Sequence, residues 1–313
     1  MGFSDGVKAF VEPAIKLLDI VSNGVGAVYE PTKIRRLADA RAYEIKTISE
    51  VTRSNIDMPI VYNPENGIVI DTSNFKGLTE RAVERFKFHE IIKQQNIESV
   101  ISKAYLELEN SEKVPNDPVE QDWILRFFNA VGEVSSEQMQ VIWAKVLSGE
   151  VKKPGTFSFR TLERIKNLSP YEAQLFQEMS QYFTTHGDNG YSWLYDNENL
   201  HDKYKIEDDY IMILVDCGLM LAHSSDISEV QLKKNQPKRV FTTNSSACVA
   251  ITNSEAGETI EIPCCFLTTT GEELLKITRA TENRAFIMDV VDSLPADTRS
   301  KNVRYELHDI KRE

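Results

Sequence analysis

Seven basic side chains form two short clusters, and their types and spacing are the ones best suited to a chemical role. They are Lys152, Lys153 and Arg160 in the first cluster, and Lys233, Lys234, Lys238 and Arg239 in the second. Ammonium and guanidinium groups bind phosphates and other anions. Beside the first cluster, Thr156 and Ser158 begin a predicted helix whose free N–H groups suit a phosphate. We therefore predict the seven residues as contacts for an anion or a nucleic acid. For the first cluster, the alternative is solvation or pairing with nearby glutamates.

The histidine, cysteine and acidic residues predict no metal or catalytic centre. Two histidines and three aspartates share an acidic stretch, but their spacing matches no ligand pattern, including that of an EF-hand loop: His186, Asp188, Asp196, His201 and Asp202. The four cysteines include no Cys-x-x-Cys pair, which favours a reduced, cytoplasmic compartment. Phosphate-loop, dinucleotide, zinc-protease and nucleophile-elbow motifs are missing. We predict no catalytic, cofactor-binding or metal-binding residue, and an enzyme of unrecognised type stays open.

Length and charge limit the functions that the chain can serve. With 313 residues, of which 41% are hydrophobic and 27% charged, the chain is long enough for two domains. Its formal net charge of −12 argues against nucleic-acid binding through bulk electrostatics, so binding through the local clusters is expected to be weak. An uninterrupted apolar run of roughly 20 residues, long enough to span a bilayer, does not occur.

Residues 117–183 carry the strongest helix signals and predict a central bundle. Helix starts are expected at Pro118 behind the cap Asp117, at Ser135, at Ser158, and at Pro170 behind Ser169. Gly149 is expected as a left-handed cap. The apolar spacing predicts Trp143 as a core residue. Because the connections are short, the four helices are expected to be neighbours.

The same block carries a resemblance. Its motifs read W-x-x-R-F-F, S-x-E-Q-M-Q-x-x-W-A-K-x-L-x-G-E, P-G-x-F-S-x-R-T-L and K-N-L-S, over Trp123–Phe128, Ser135–Glu150, Pro154–Leu162 and Lys166–Ser169. This string resembles an uncharacterised bacterial family of domains of unknown function. The resemblance implies a bacterial, intracellular protein, and it supplies no activity or catalytic residue.

Two segments precede the central block. Residues 1–56 combine an amphipathic stretch at 7–29 with a predicted long helix at 31–56, which suits either a coiled-coil seam or a solvated surface. The stretch at 7–29 has three interpretations, namely packing within the chain, self-association, and peripheral contact with the inner membrane. Residues 57–116 predict a hairpin or linker at 57–76 and a helix at 79–108.

Residues 184–313 are similar to winged-helix domains over Ile206–Ile277. A predicted helix at Ile206–Cys217 ends at Gly218, and Leu219–Leu221 is the next strand. A predicted strand pair, Ala247–Thr252 with Thr259–Leu267, leads into a helix at Gly271–Ile277. Winged-helix domains bind DNA or proteins, and the helix face Tyr210–Leu214 lacks the Arg, Asn or Gln that reads bases, so a protein partner is favoured. A helix at 284–294 and a strand at 303–310 complete the chain.

The expected fold is mostly α, with N-terminal helices and a central bundle followed by a winged-helix-like α+β domain. The favoured function is a non-enzymatic interaction protein that self-associates through its N-terminal helices and binds an unidentified protein partner through the C-terminal domain. Such a protein suits a role in stress response or phage defence. The alternatives are a nucleic-acid-associated protein or an enzyme. We expect a homo-oligomer, no cofactor, and a cytoplasmic location, with peripheral attachment to the inner membrane as an alternative.

Overall fold

The computed structural model describes residues 10–26, 60–63, 67–70, 78–109, 111–187, 190–222, 226–243, 245–278, 280–298, 300 and 302–310. The chain divides into two compact units, Met1–Leu162 and Glu163–Glu313. The fold is mixed α+β, as expected. The predicted long helix at residues 31–56 lies outside the described residues.

The first unit is built mainly from helices. They are α1 (Pro13–Val25), α2 (Leu78–Leu108), α3 (Gln121–Gly132) and α4 (Glu137–Lys152), followed by α5 (Phe159–Asn167), which crosses the boundary between the units. Strand β1 (Phe10–Val11) pairs with β4 (Val114–Pro115), and β2 (Ile60–Asn63) pairs with β3 (Gly67–Ile70), which confirms the predicted hairpin. Helices α1 to α4 pack on one another around a core that includes Phe127 and Trp143, both fully buried. Trp143 is therefore a core residue, as predicted.

Helix α1 packs within the chain, which is one of the three interpretations of the amphipathic stretch. Leu17, Ile20 and Val21 are buried, and the helix packs against α3, α2 and α4. Lys16 is buried as well, and its Nζ donates to the carbonyl oxygen of Pro115 at 2.7 Å. The apolar face of α1 is thus used inside the first unit.

Buried amide side chains fix α2 against the turn between α3 and α4. Asn96 Nδ2 donates to the carbonyl oxygen of Gly132 at 2.8 Å and to Ser135 Oγ at 3.3 Å. Gln140 Nε2 donates to Asn96 Oδ1 at 3.4 Å, and Ser99 Oγ donates to Gln140 Oε1 at 2.6 Å. Because a shifted helix would leave these groups unpaired, the network sets how far α2 extends past the turn.

Several predicted helix ends are wrong. Helix α3 begins at Gln121 rather than at Pro118. The cap of α4 is Ser136 rather than Ser135. The Ser135 hydroxyl instead accepts a hydrogen bond from Asn96. Gly149 does not end α4. A Cβ at this position would lie 2.7 Å from the Phe157 ring, so the glycine allows that ring to pack against the helix. In contrast, Ser158 caps α5 and Ser169 forms the predicted capping box of the next helix.

The second unit is built around a seven-stranded antiparallel sheet. Its strands are β5 (Phe183–His186), β6 (Ser192–Tyr195), β7 (Asp226–Leu232), β8 (Lys238–Thr242), β9 (Ser246–Thr252), β10 (Glu258–Phe266) and β11 (Val303–Asp309), in the order β11-β9-β8-β5-β6-β10-β7. The helices are α6 (Pro170–Met179), α7 (Glu198–Tyr204), α8 (Asp208–Asp216), α9 (Thr269–Thr278) and α10 (Arg284–Asp297). Helix α10 packs on β10 and β11, and its side chains Phe286, Val290 and Leu294 are fully buried.

The prediction that β9 and β10 form a strand pair is wrong. Both strands exist close to their predicted positions, but β9 pairs with β8 and β11, whereas β10 pairs with β6 and β7. The reason is that β5 and β6 lie in the middle of the sheet, between β9 and β10. Both strands come from residues that precede the predicted winged-helix-like region Ile206–Ile277. The predicted strand at Leu219–Leu221 is reduced to a bridge between Met220 and Leu267.

The compact units divide the chain at a different place from the predicted domains. The boundary lies between Leu162 and Glu163, within the block 117–183 that was expected to form one bundle. Helices α3 and α4 pack with α1 and α2, whereas α6 packs with α8 and α9. The buried residues of α6, which include Leu175, Phe176 and Met179, therefore belong to the core of the second unit.

Candidate interaction sites

The loop beside the first basic cluster binds the chain's own Glu150. Its carboxylate, 2% exposed, accepts from the backbone N–H groups of Gly155 at 2.5 Å and of Thr156 and Phe157 at 3.1 Å each. Of these donors, only Thr156 was named in the predicted phosphate site, whose other N–H groups belong to the first turn of α5. Lys152, Lys153 and Arg160 are exposed around this loop. The anion at this loop is thus supplied in cis, and no phosphate is needed to satisfy the backbone.

Glu150 also explains a buried lysine of α1. Burial lowers the pKa of Lys16, and the nearby carboxylates of Asp117 and Glu150 oppose that shift by stabilising the ammonium form. Lys16 in α1 thus lies close enough to Asp117 and Glu150 for their charges to act on its ammonium group.

The second basic cluster does not converge on one point. Lys233 and Lys234 lie before β8, and Lys234 forms an ion pair with Glu255. Lys238 and Arg239 are consecutive residues of β8, so their side chains leave the strand towards opposite faces. The two clusters also belong to different compact units. The seven predicted residues therefore form no single anion site within either unit.

The cysteine thiols are not activated nucleophiles. All four are free, and Cys248, Cys264 and Cys265 are buried. Burial raises the pKa of each of these three thiols to about 12, and burial, with Glu172 nearby, raises the pKa of Cys217 to about 11. The thiols are therefore protonated at neutral pH, whereas nucleophilic attack requires a thiolate.

The acidic stretch after β6 forms a cavity of about 570 Å³ in the second unit. Five carboxylates, a lysine, a histidine and an isoleucine line it: Asp196, Glu198, His201, Asp202, Lys205, Ile206, Glu207 and Asp208. A second cavity of about 370 Å³ shares Asp196 and Glu198. In the described part of the chain, no three His, Cys, Asp or Glu side chains are arranged to hold a metal ion, and Asp188 lies outside that part. The acidic lining suits a cationic group of a larger ligand.

Helix α7 places the acidic side chains in the cavity wall. Asn197 caps the helix, because its Oδ1 accepts from the N–H of Leu200 at 3.1 Å. The Nδ2 of the same side chain donates to Asp297 Oδ2 at 2.7 Å. The Tyr195 hydroxyl donates to the same Asp297 oxygen, which anchors the end of α10 to β6. His201 is buried, and its Nε2 lies 2.9 Å from the Tyr195 carbonyl oxygen, so this nitrogen carries the proton. These contacts hold Glu198 and Asp202 on a fixed helix.

Part of the cavity wall also has a structural role. Glu207 precedes α8, and Asp208 and Asp209 lie in its first turn, where negative charge stabilises the helix N-terminus. Glu198 has the same role in the first turn of α7, whereas Asp196 precedes that turn and Asp202 follows it. From the sequence, Asp196 and Asp202 were considered only as metal ligands and rejected, and Glu198 was not considered. The excess of acidic residues between His186 and Tyr210 is the sequence feature that indicates an acidic cavity here.

The fold and these sites define a two-unit α+β protein with an acidic cavity in its C-terminal unit. The chain belongs to the family described as Protein of unknown function (DUF2806), whose model matches residues 80–291, more than half of the chain. This confirms the predicted membership of an uncharacterised domain family. No curated protein and no solved structure matches the chain. Among the described residues, no helix has the length and apolar character needed to cross a membrane.

Proposed function

We propose that the protein is a non-enzymatic interaction protein whose C-terminal unit binds a basic segment of a protein partner. The observation that carries this proposal is the acidic cavity between β6 and α8. Its lining has five carboxylates against one lysine, and its volume of about 570 Å³ is large enough for lysine or arginine side chains. Carboxylates on a fixed helix bind guanidinium groups with directed, charge-assisted hydrogen bonds.

The winged-helix-like character of Ile206–Ile277 belongs to the same proposal. It is supported by α8, by Gly218 in the left-handed conformation after it, and by the bridge from Met220 to Leu267 ahead of α9, whereas the strands β9 and β10 of this region do not pair with each other. The acidic start of α8, with Asp208 and Asp209, favours a protein partner over DNA because phosphates would be repelled. A cytoplasmic location and a role in stress response or phage defence stay predictions.

The test compares two variants with the same change of charge. The cavity variant is Asp196→Asn/Glu198→Gln/Asp202→Asn, and the control is Glu229→Gln/Glu261→Gln/Asp292→Asn, which alters three exposed carboxylates elsewhere in the second unit. Binding of a fluorescent arginine-rich peptide is measured by anisotropy at low and physiological salt. We expect the cavity variant to bind at least about tenfold more weakly than wild type, and the control to bind almost as well as wild type.

Two outcomes would contradict the proposal. If both variants lose affinity equally, the peptide responds to net charge and not to the cavity. If the wild-type protein does not bind the peptide at low salt, the cavity does not accept basic segments. Circular dichroism of both variants verifies that α7 and the sheet are intact.

A further inference from the structure

Helix α2 extends well beyond the helices against which it packs. Its C-terminal part is buried through Val100, Ile101 and Ala104, all fully buried. Asn96 contacts the turn between α3 and α4, so the residues before it lie past the ends of both helices. At 1.5 Å per residue, the part from Leu78 to Asn96 is about 27 Å long.

The apolar face of α2 continues along this projecting part. Eighteen residues make five helical turns, so Ala82, Val83 and Phe86 occupy the same face as Val100, Ile101 and Ala104, respectively. Yet Val83 is 45% exposed and Phe86 is 66% exposed, and Leu78 on the same side is 75% exposed. At the C-terminal end of α2, this face is therefore covered by α3 and α4. At the N-terminal end, the apolar side chains of the same face are exposed. Such a stripe is typical of a helix that packs against another helix.

The charges along the projecting part of α2 favour contact between two copies of this chain. Residues 78–93 contain four basic and three acidic side chains, although the whole chain has a net charge of −12. Glu84 pairs with Lys87 at 3.2 Å and Glu90 pairs with Lys93 at 2.9 Å, each within the helix. Two copies can thus meet along this segment with little electrostatic repulsion, whereas the rest of the chain carries a net negative charge.

We propose that the stripe formed by Leu78, Ala82, Val83 and Phe86 binds the same stripe of a second copy of this chain. Such a contact is twofold symmetric, because the same residues of both copies meet. In such a dimer, the C-terminal part of α2 packs on helices of its own chain, and the projecting part packs on the second copy. This inference is independent of the acidic cavity, which lies in the other unit.

The test measures the mass of the full-length chain by light scattering over a series of protein concentrations. Phe86→Glu places a charge in the stripe, and Leu106→Glu is the control, since Leu106 is 54% exposed on the opposite face of the same helix. We expect wild type and Leu106→Glu to be dimers and Phe86→Glu to be a monomer. Circular dichroism is expected to be the same for all three, because Phe86 contributes little to the core.

Cysteine crosslinking provides a second measurement. Ala82→Cys is expected to give a disulfide-linked dimer under mild oxidation, and Leu106→Cys is expected to give none. A wild-type monomer at every concentration would overturn the proposal, as would a dimer that both glutamate variants retain. A lower melting temperature of Phe86→Glu without a change in mass would show instead that the stripe packs within its own chain.

Discussion

Buried and half-buried carboxylates in this chain bind the chain's own donors. Glu150 accepts three backbone N–H groups after α4, and Glu272 accepts from the N–H and hydroxyl groups of Ser192. Glu282 accepts from the hydroxyl groups of Thr243, Ser245 and Ser246 and from the N–H of Ser245. An N–H or hydroxyl group in a loop is therefore weak evidence for an external anion when a glutamate lies within reach.

At the residue scale, Glu282 gives a pH-dependent prediction. Burial opposes its ionisation, but the hydrogen bonds from Ser245, Thr243 and Ser246 outweigh burial and lower the pKa of the carboxyl below 4.5. The unfolded chain then binds the proton more readily, so the stabilisation is complete above about pH 4.5 and is lost as the pH falls through the folded pKa. We expect Glu282→Gln to reduce the free energy of unfolding by about 1–3 kcal/mol at pH 7.

Denaturant melts of wild type, Glu282→Gln and the exposed control Glu261→Gln measure this effect at several pH values. The difference between wild type and Glu282→Gln is expected to shrink below about pH 4.5, where the wild-type carboxyl begins to gain its proton. A difference that stays constant down to pH 3 would show that the hydrogen bonds do not depend on ionisation.

At the element scale, α1 is a packed helix of the first unit. Leu17 is fully buried and Ile15 is 53% exposed on the same helix. We expect Leu17→Ala to cost about 2–5 kcal/mol of unfolding free energy, because it leaves a cavity, and Ile15→Ala to change it by less than about 0.5 kcal/mol. Chemical denaturation measures both values. Equal, small losses would mean that α1 does not pack as described.

At the scale of the whole molecule, charge predicts the behaviour towards nucleic acid. The net charge is −12, and the basic clusters form no single anion site within either unit. We expect duplex DNA binding to be weak and to be lost at physiological salt, since the affinity comes from a few phosphate contacts. Gel shifts over a salt series measure it. Tight binding that resists salt would instead support a nucleic-acid-associated function.

The sequence by itself determined the features that depend on neighbouring residues. Periodicity located α2, α4 and the buried Trp143, and short motifs located Ser169 as a cap and Gly218 after α8. These signals are local, because a helix forms a stripe and a cap within a few turns. The family motifs likewise lie in short segments, so they indicated membership of an uncharacterised family.

Tertiary structure alone decided the features that depend on distant residues. The sheet order separates β9 from β10, because β5 and β6 enter between them. Gly149 serves the packing of Phe157, and Glu150 accepts from the N–H groups of Gly155, Thr156 and Phe157. The acidic cavity needs β6, α7 and α8 together. Such contacts depend on how the elements pack in space, and no local pattern of residues records that packing.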